Sequence, residues 1–306
     1  MRRAVAAFGR ILVTLGLLIL LFVAYELWGT GLITARAQSH LKHQFQQELK
    51  QAEENPTVTV PARPGKKRPK AVINPKFLVA PPEGNAVGFI KIPKIDVNWT
   101  FVEGVQLTDL AKGPGHYPGT PLPGQVGNAA IAGHRTTHGA PFFRVNELAV
   151  GDKIHITTLA GNYTYVVTQK PFAVDPTDYA VVANTPTATL TLTSCNPRYS
   201  AAQRIIIKAR LVRNQSSAVH RPPKRINGKK IQPPPRKALA TGLEGQSNSV
   251  VPSVVFGGIV FLVGMLWWWL YRRWRHPLTL FLGAIPFLIV LFPFYVYLER
   301  ALPNGY

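Results

Sequence analysis

The stretch Ala188-Thr189-Leu190-Thr191-Leu192-Thr193-Ser194-Cys195 decides how this chain is read. It alternates with period two, so as a strand it puts Leu190 and Leu192 on one face and Thr189, Thr191, Thr193 and Cys195 on the other. The leucines claim the core side, and the thiol is left on a polar face. A lone cysteine is ordinarily a small buried hydrophobe, but its company here is threonine, which points to a nucleophile. Cys195 is the only cysteine in 306 residues. That count excludes an internal disulfide framework and any multi-cysteine zinc or iron–sulfur site.

Working outward, similar short runs stand at residues 86–92, 153–158, 163–169 and 204–212, divided by turn residues such as Pro93-Lys94, Gly124-Gln125 and Ala160-Gly161-Asn162. Residues 107–112 and 142–148 read as short helical turns, and no long amphipathic helix competes within 84–213. This segment is therefore expected to be an all-β domain, and a closed β-barrel is the economical arrangement for many short strands without a helix layer. Two more reactive residues fall inside it. His134 follows Asn128-Ala129-Ala130-Ile131-Ala132-Gly133, a short strand of small residues that lets another backbone or a substrate come close. Arg204 lies nine positions after Cys195, enough for a strand end, a loop and the start of an antiparallel neighbour. The spacing predicts Cys195 and Arg204 pointing into one groove.

The flanks are of another kind. Residues 11–33 are apolar behind Arg2, Arg3 and Arg10 and read as a transmembrane signal anchor, with residues 1–10 cytoplasmic. Ala35-Arg36-Ala37 offers the rival reading of a cleaved signal peptide, against which the length of the apolar run counts. Residues 251–271 and 278–298 form a second membrane pair, joined by a loop at 272–277 that carries Arg272, Arg273 and Arg275 beside Trp267, Trp268, Trp269, Tyr271 and Trp274. Basic residues in short loops favour the cytoplasm, so 34–250 is expected outside, together with the tail at 299–306. Within it, 34–83 reads as a polar stalk followed by a Pro/Lys-rich extended linker, and 214–249 as a basic Pro-rich linker.

The net charge of +21 sits mainly in these flanks: 12 Lys/Arg against 5 Asp/Glu in 1–83 and 11 against 2 in 214–306, compared with 12 against 7 in 84–213. Outward basic tethers favour anionic headgroups or wall polymers. The two linkers hold a single aromatic, Phe77, too few for base stacking, which argues against a nucleic-acid partner.

His134 within Ala132-Gly133-His134-Arg135-Thr136-Thr137-His138-Gly139, Cys195 at the end of Thr191-Leu192-Thr193-Ser194-Cys195, and Arg204 together resemble the signature of sortases, over about residues 84–213. Sortases are membrane-anchored cysteine transpeptidases of Gram-positive bacteria with an eight-stranded β-barrel. The resemblance implies that fold, no cofactor and no metal, and a catalytic trio of His134, Cys195 and Arg204. The run Gly115-His116-Tyr117-Pro118-Gly119-Thr120 is most like class E, which favours Leu-Ala-x-Thr-Gly over Leu-Pro-x-Thr-Gly signals. It makes Tyr117 a substrate contact, with Thr193 and Ser194 at the same strand end. It also implies partners: surface proteins bearing a C-terminal sorting signal, and a cell-wall peptide or lysine amine as acyl acceptor.

There are departures. Ser194 stands where the family strand usually has Thr, Asn196 where class E often has His, and a C-terminal membrane pair is uncommon for class E. His116 and His138 compete with His134, and Arg198 and Arg210 with Arg204. A pilin-polymerising enzyme and a non-catalytic membrane-tethered scaffold remain the alternative functions.

Overall fold

The computed structural model describes residues 2–55, 57–60, 70–223, 225–226, 229–230, 249–274 and 277–302. The basic run from Arg63 to Arg68, the Pro233-Pro234-Pro235 run, Arg275-His276 and the end of the 299–306 tail lie outside the described residues. The chain divides into two compact units, one of Met1–Tyr25 with Gly242–Gly305 and one built on Glu26–Thr241.

The second unit is the β domain. Its strands are β1 (Ala86–Ile92), β2 (Val97–Glu103), β3 (Gly115–His116), β4 (Gly127–Ala132), β5 (Lys153–Thr158), β6 (Gly161–Val167), β7 (Phe172–Val174), β8 (Ala188–Asn196) and β9 (Gln203–Leu211). Hydrogen bonding runs β8-β4-β3-β2-β1-β5-β6-β9, and β9 pairs back to β8, so eight strands close into a barrel. Closure removes free sheet edges. The long β9 serves two neighbours: Ala209–Leu211 pair with β6, while Arg204–Ile206 pair with the extra strand β7. Most pairings are antiparallel, but β8 runs parallel to β4 and β2 parallel to β3.

The period-two reading explains the core. Leu190 and Leu192 point inward with Ile131, Ile156, Ile205, Ile207, Tyr163, Tyr165 and Phe101. The opposite face of β8 differs from expectation. Thr191 and Thr193 are buried, because a second apolar cluster of Val105, Leu110, Tyr117, Val181, Val182 and Ile206 covers the outer side there.

Residues 34–54 belong to helix α2 (Thr30–Glu54), one face of which packs on the barrel. Its buried positions Thr30, Thr34, Leu41, Phe45 and Ala52 recur at helical spacing and face the barrel. Phe45 meets Phe89 edge-on at 4.9 Å and clusters with Leu41, Ala86 and Val102. The Gln38 amide caps a gap in the sheet: its Oε1 accepts from Thr100 N at 2.8 Å, and its Nε2 donates to Thr100 O at 2.8 Å and Lys112 O at 2.7 Å. Because β3 is only two residues long, Thr100 has no strand partner on that side, and the side-chain amide takes the place of one. In the following linker, Thr57–Val60 pair antiparallel with Lys70–Ile73.

The expected turn at 107–112 is the short helix α3 (Leu107–Leu110), and that at 142–148 narrows to a 3-10 turn at Val145–Glu147. The sequence did not reveal β2, β3 or β7.

The first unit is helical: α1 (Arg2–Ala24), α4 (Val250–Trp274) and α5 (Pro277–Ala301). Among the described residues, three helices are long and apolar enough to cross a membrane. Within this unit the Tyr25 hydroxyl donates to Glu299 at 2.9 Å, and the Tyr295 hydroxyl to Leu18 O at 2.7 Å, tying α5 to the N-terminal segment. Apolar side chains such as Phe261, Phe281 and Leu282 stay exposed, as lipid-facing residues do.

Candidate active site

Parallel pairing of β4 and β8 sets Ala132 against Thr193, so His134 and Cys195 each lie two residues past that pair at the same end of neighbouring strands. Two hydrogen bonds extend the junction beyond the ladder. Gly133 N donates to Thr193 O at 3.1 Å, and the Ser194 hydroxyl donates to Gly133 O at 2.7 Å. Gly133 is required there, because a Cβ on it would fall 2.6 Å from the Phe142 ring.

Across the antiparallel β8–β9 ladder, Cys195 and Arg204 are Cα partners. The antiparallel strand expected after Cys195 is present with Arg204 directly opposite it, and the three sequence-selected residues share one end of three adjacent strands. His116 does not join them. It lies on β3, with Nδ1 2.7 Å from Glu103 Oε2 and Nε2 3.0 Å from Pro121 O, a fully enclosed structural histidine. Arg210 pairs with Thr189, at the far end of β8. Arg198 stacks over Phe143, 4.1 Å from the ring centre.

The groove is more enclosed than the sequence implied. His134 is 1% exposed, Cys195 3% and Arg204 3%. Tyr117, also buried, hydrogen-bonds Thr193 Oγ1 through its hydroxyl at 2.9 Å. The sulfur is not sealed in hydrocarbon, however, because its charged neighbours are guanidinium groups. Arg204 Nη1 donates to Ala201 O at 3.1 Å and Gln203 O at 3.2 Å, while its Nη2 is buried with no hydrogen-bond partner. A buried donor left unmade costs about 1–3 kcal/mol, and an acceptor such as a peptide carbonyl or an oxyanion would satisfy it.

Arg135, which sequence reasoning did not single out, is a second cation at the site. Its Nη1 donates to Cys195 O at 2.9 Å, Nε to Phe143 O at 2.9 Å and Nη2 to Asn146 Oδ1 at 2.8 Å. One guanidinium therefore joins the His134 segment, the Cys195 strand end and the 142–147 turn. Its only sequence signal was adjacency to His134.

Burial sets the resting protonation. The Cys195 thiol is pushed up to about 11 by desolvation, against which Arg204 and Arg135 pull downward. The His134 imidazole is held well below its usual value by desolvation and by the neighbouring His138. Burial thus favours the neutral thiol and the neutral imidazole in the substrate-free chain.

His138 also belongs to the site. Its ring centre lies 4.6 Å from that of His134, and Thr137 Oγ1 is 3.2 Å from His134 Nδ1. The loop holds three successive left-handed residues, His138 (φ 50°), Gly139 (φ 72°) and Ala140 (φ 46°). For the two non-glycine residues that conformation costs on the order of 1–2 kcal/mol each. Gly139 permits a close approach, since a Cβ there would fall 2.7 Å from Trp99. Ala140 N donates to Thr137 O at 2.8 Å, and His138 N donates to Thr30 Oγ1 at 3.1 Å.

Residues 90–212 match the family model described as Sortase domain. Sortase SrtE1 of Streptomyces coelicolor is 30% identical over 231 residues, covering 71% of this chain and 59% of the relative. The chain thus spans under two thirds of that protein's length. Sortase SrtE2 of the same organism is 27% identical over 244 residues, covering 73% of this chain and 88% of the relative. The solved structure of sortase E from Streptomyces avermitilis is 35% identical, covering 42% of this chain and 90% of that one, with a TM-score of 0.39.

Proposed function

The chain carries a sortase domain, and from that premise we propose that it is a membrane-anchored cysteine transpeptidase that cleaves a Leu-Ala-x-Thr-Gly or Leu-Pro-x-Thr-Gly sorting signal between Thr and Gly and transfers the acyl part to an amine. The observation that carries this reading is the cross-strand pairing of Cys195 with Arg204 at the strand ends where His134 also emerges.

From the neutral resting state, His134 accepts the thiol proton as the sulfur attacks the Thr carbonyl. The tetrahedral oxygen takes up the negative charge, and Arg204, with a buried donor to spare, stabilises it. The C–N bond then breaks, the imidazolium hands its proton to the departing glycine amine, and a thioester remains on Cys195. An incoming amine attacks that thioester, gives up a proton and restores the thiol. Tyr117 and Thr193, joined by their hydroxyls, wall the adjacent subsite, and Ser194 fixes the strand end through Gly133.

Three apolar helices support a multi-pass membrane protein with residues 34–250 outside, acting on surface proteins and on a cell-wall peptide or lysine amine. The test is the full-length chain in detergent micelles, given fluorogenic Leu-Ala-x-Thr-Gly and Leu-Pro-x-Thr-Gly peptides with and without an amine. Amine-dependent product that disappears in Cys195→Ala supports the reading. Equal turnover by that variant overturns it.

A further inference from the structure

The hydroxyls of Thr30 and Thr34 sit at the start of α2, one turn apart on the face that meets the barrel. Thr30 Oγ1 accepts from His138 N at 3.1 Å, and Thr34 Oγ1 lies 3.3 Å from His138 Nδ1. Thr34 Oγ1 is 2.7 Å from Ala111 O. Thr34 Oγ1 also lies 3.0 Å from Thr30 O, and with its single hydrogen given to one of these two carbonyls it stands as an acceptor toward His138 Nδ1 and holds the ring's orientation. The backbone of the two segments is close as well, since a Cβ on Gly31 would come within 3.9 Å of Gly139 N.

We propose that Thr30 and Thr34 of the juxtamembrane helix are positioning residues for the reaction, clamping the left-handed loop Thr137–Ala140 so that Thr137 and His138 hold His134 in its working orientation. This rests on the cysteine-transpeptidase reading given above. The left-handed run at His138–Ala140 needs outside support to persist, and α2 supplies it at both the backbone and the ring of His138. The loop in turn reaches His134 at two points, the Thr137 hydroxyl at Nδ1 and the His138 ring beside the imidazole. A catalytic imidazole works only within a narrow range of orientation, so loosening the loop lowers turnover without removing any reacting group. The remaining attachments of α2, through Gln38 and Phe45, lie farther along the helix and hold it to the barrel independently of the loop.

Full-length wild type, Thr30→Val/Thr34→Val, Thr30→Ser/Thr34→Ser and Gln38→Leu are compared in micelles by peptide kinetics, thermal midpoint, and hydrogen–deuterium exchange over residues 134–143. The expected result for the valine pair is at least tenfold faster exchange in that segment and about a tenfold lower kcat, with KM within twofold. The serine pair, which keeps both hydroxyls, should restore kcat to within twofold. Gln38→Leu should lower the thermal midpoint and leave kcat within twofold at a temperature where it is folded. If the valine pair keeps wild-type kcat, or if Gln38→Leu loses as much kcat as the valine pair, the clamp is overturned. Should the valine pair not fold, Thr34→Ala is read by the same criteria. Exchange reports on the clamp even if the wild-type chain turns over no peptide, an outcome that would count against the transpeptidase reading and not against the contact.

Discussion

Arg135 Nη1 donates to the Cys195 carbonyl at 2.9 Å, so the residue next to the candidate base in sequence is bonded to the backbone of the candidate nucleophile. The same guanidinium lowers the thiol's pKa, in partnership with Arg204. Replacing it should therefore damage both position and electrostatics. Arg135→Gln is expected to reduce kcat/KM at least tenfold and to slow Cys195 alkylation at fixed pH. Arg135→Lys keeps the charge but not the fork, and should recover alkylation more fully than turnover. Alkylation rates and steady-state kinetics measured together check this.

The neutral resting thiol has its own signature. Iodoacetamide reacts with the thiolate, so with the pKa pushed to about 11 the alkylation rate of the substrate-free chain should climb about tenfold per pH unit from pH 7 to pH 10. A plateau reached near pH 7 would show a preformed ion pair. Arg204→Gln should move the curve to still higher pH, because the largest lowering influence on the thiol is then gone.

His116 provides a stability readout separate from activity. Burial opposes its charge, but the Glu103 carboxylate at 2.7 Å and the Pro121 carbonyl outweigh it and raise its pKa above the ordinary 6.5. A histidine raised on folding contributes stability that is fully present below the unfolded value and lost as pH rises through the folded value. The gap in thermal midpoint between wild type and His116→Gln should therefore be widest near pH 6 and shrink as pH rises. A gap that widens with pH would contradict the pairing.

Docking of α2 makes a fourth prediction. Phe45 is fully buried against Phe89, so Phe45→Ala in the full chain should cost about 3–5 kcal/mol, measurable by denaturant unfolding of the β domain. A fragment starting at Gly84 lacks Leu41, Phe45 and Gln38, and should have a lower thermal midpoint than one starting at Glu26.

Where local pattern and environment coincide, the sequence was a sufficient guide. The bounds of β5 follow from clean alternation, and the placement of Arg204 on an antiparallel neighbour of β8 from a strand–loop–strand count. Other elements depend on partners far along the chain. The run Val97-Asn98-Trp99-Thr100-Phe101-Val102-Glu103 ends in two adjacent apolar residues that face opposite clusters, which blurs its alternation. Two-residue β3 has no pattern of its own and exists because β2 and β4 flank it. The threonine face of β8 read as open because nothing in it announces Val181 and Val182, which cover it, or Tyr117, which bonds to it. The docking face of α2 is half legible: Leu41, Phe45 and Ala52 keep helical spacing, whereas the hydrogen-bonding roles of Thr30, Thr34 and Gln38 leave no pattern in the sequence.

The parallel pairing of β4 with β8 has a consequence for how this chain tolerates change. A parallel neighbour can be reached only by an excursion, here the whole of residues 133–187, and both ends of that excursion are anchored in the barrel wall. The strand ends that carry His134 and Cys195 are therefore brought together by the wall and not by the length of chain between them. Surface turns along the excursion, such as the exposed one at Ala149–Gly151, should accept grafted peptides or tags without parting the reactive pair.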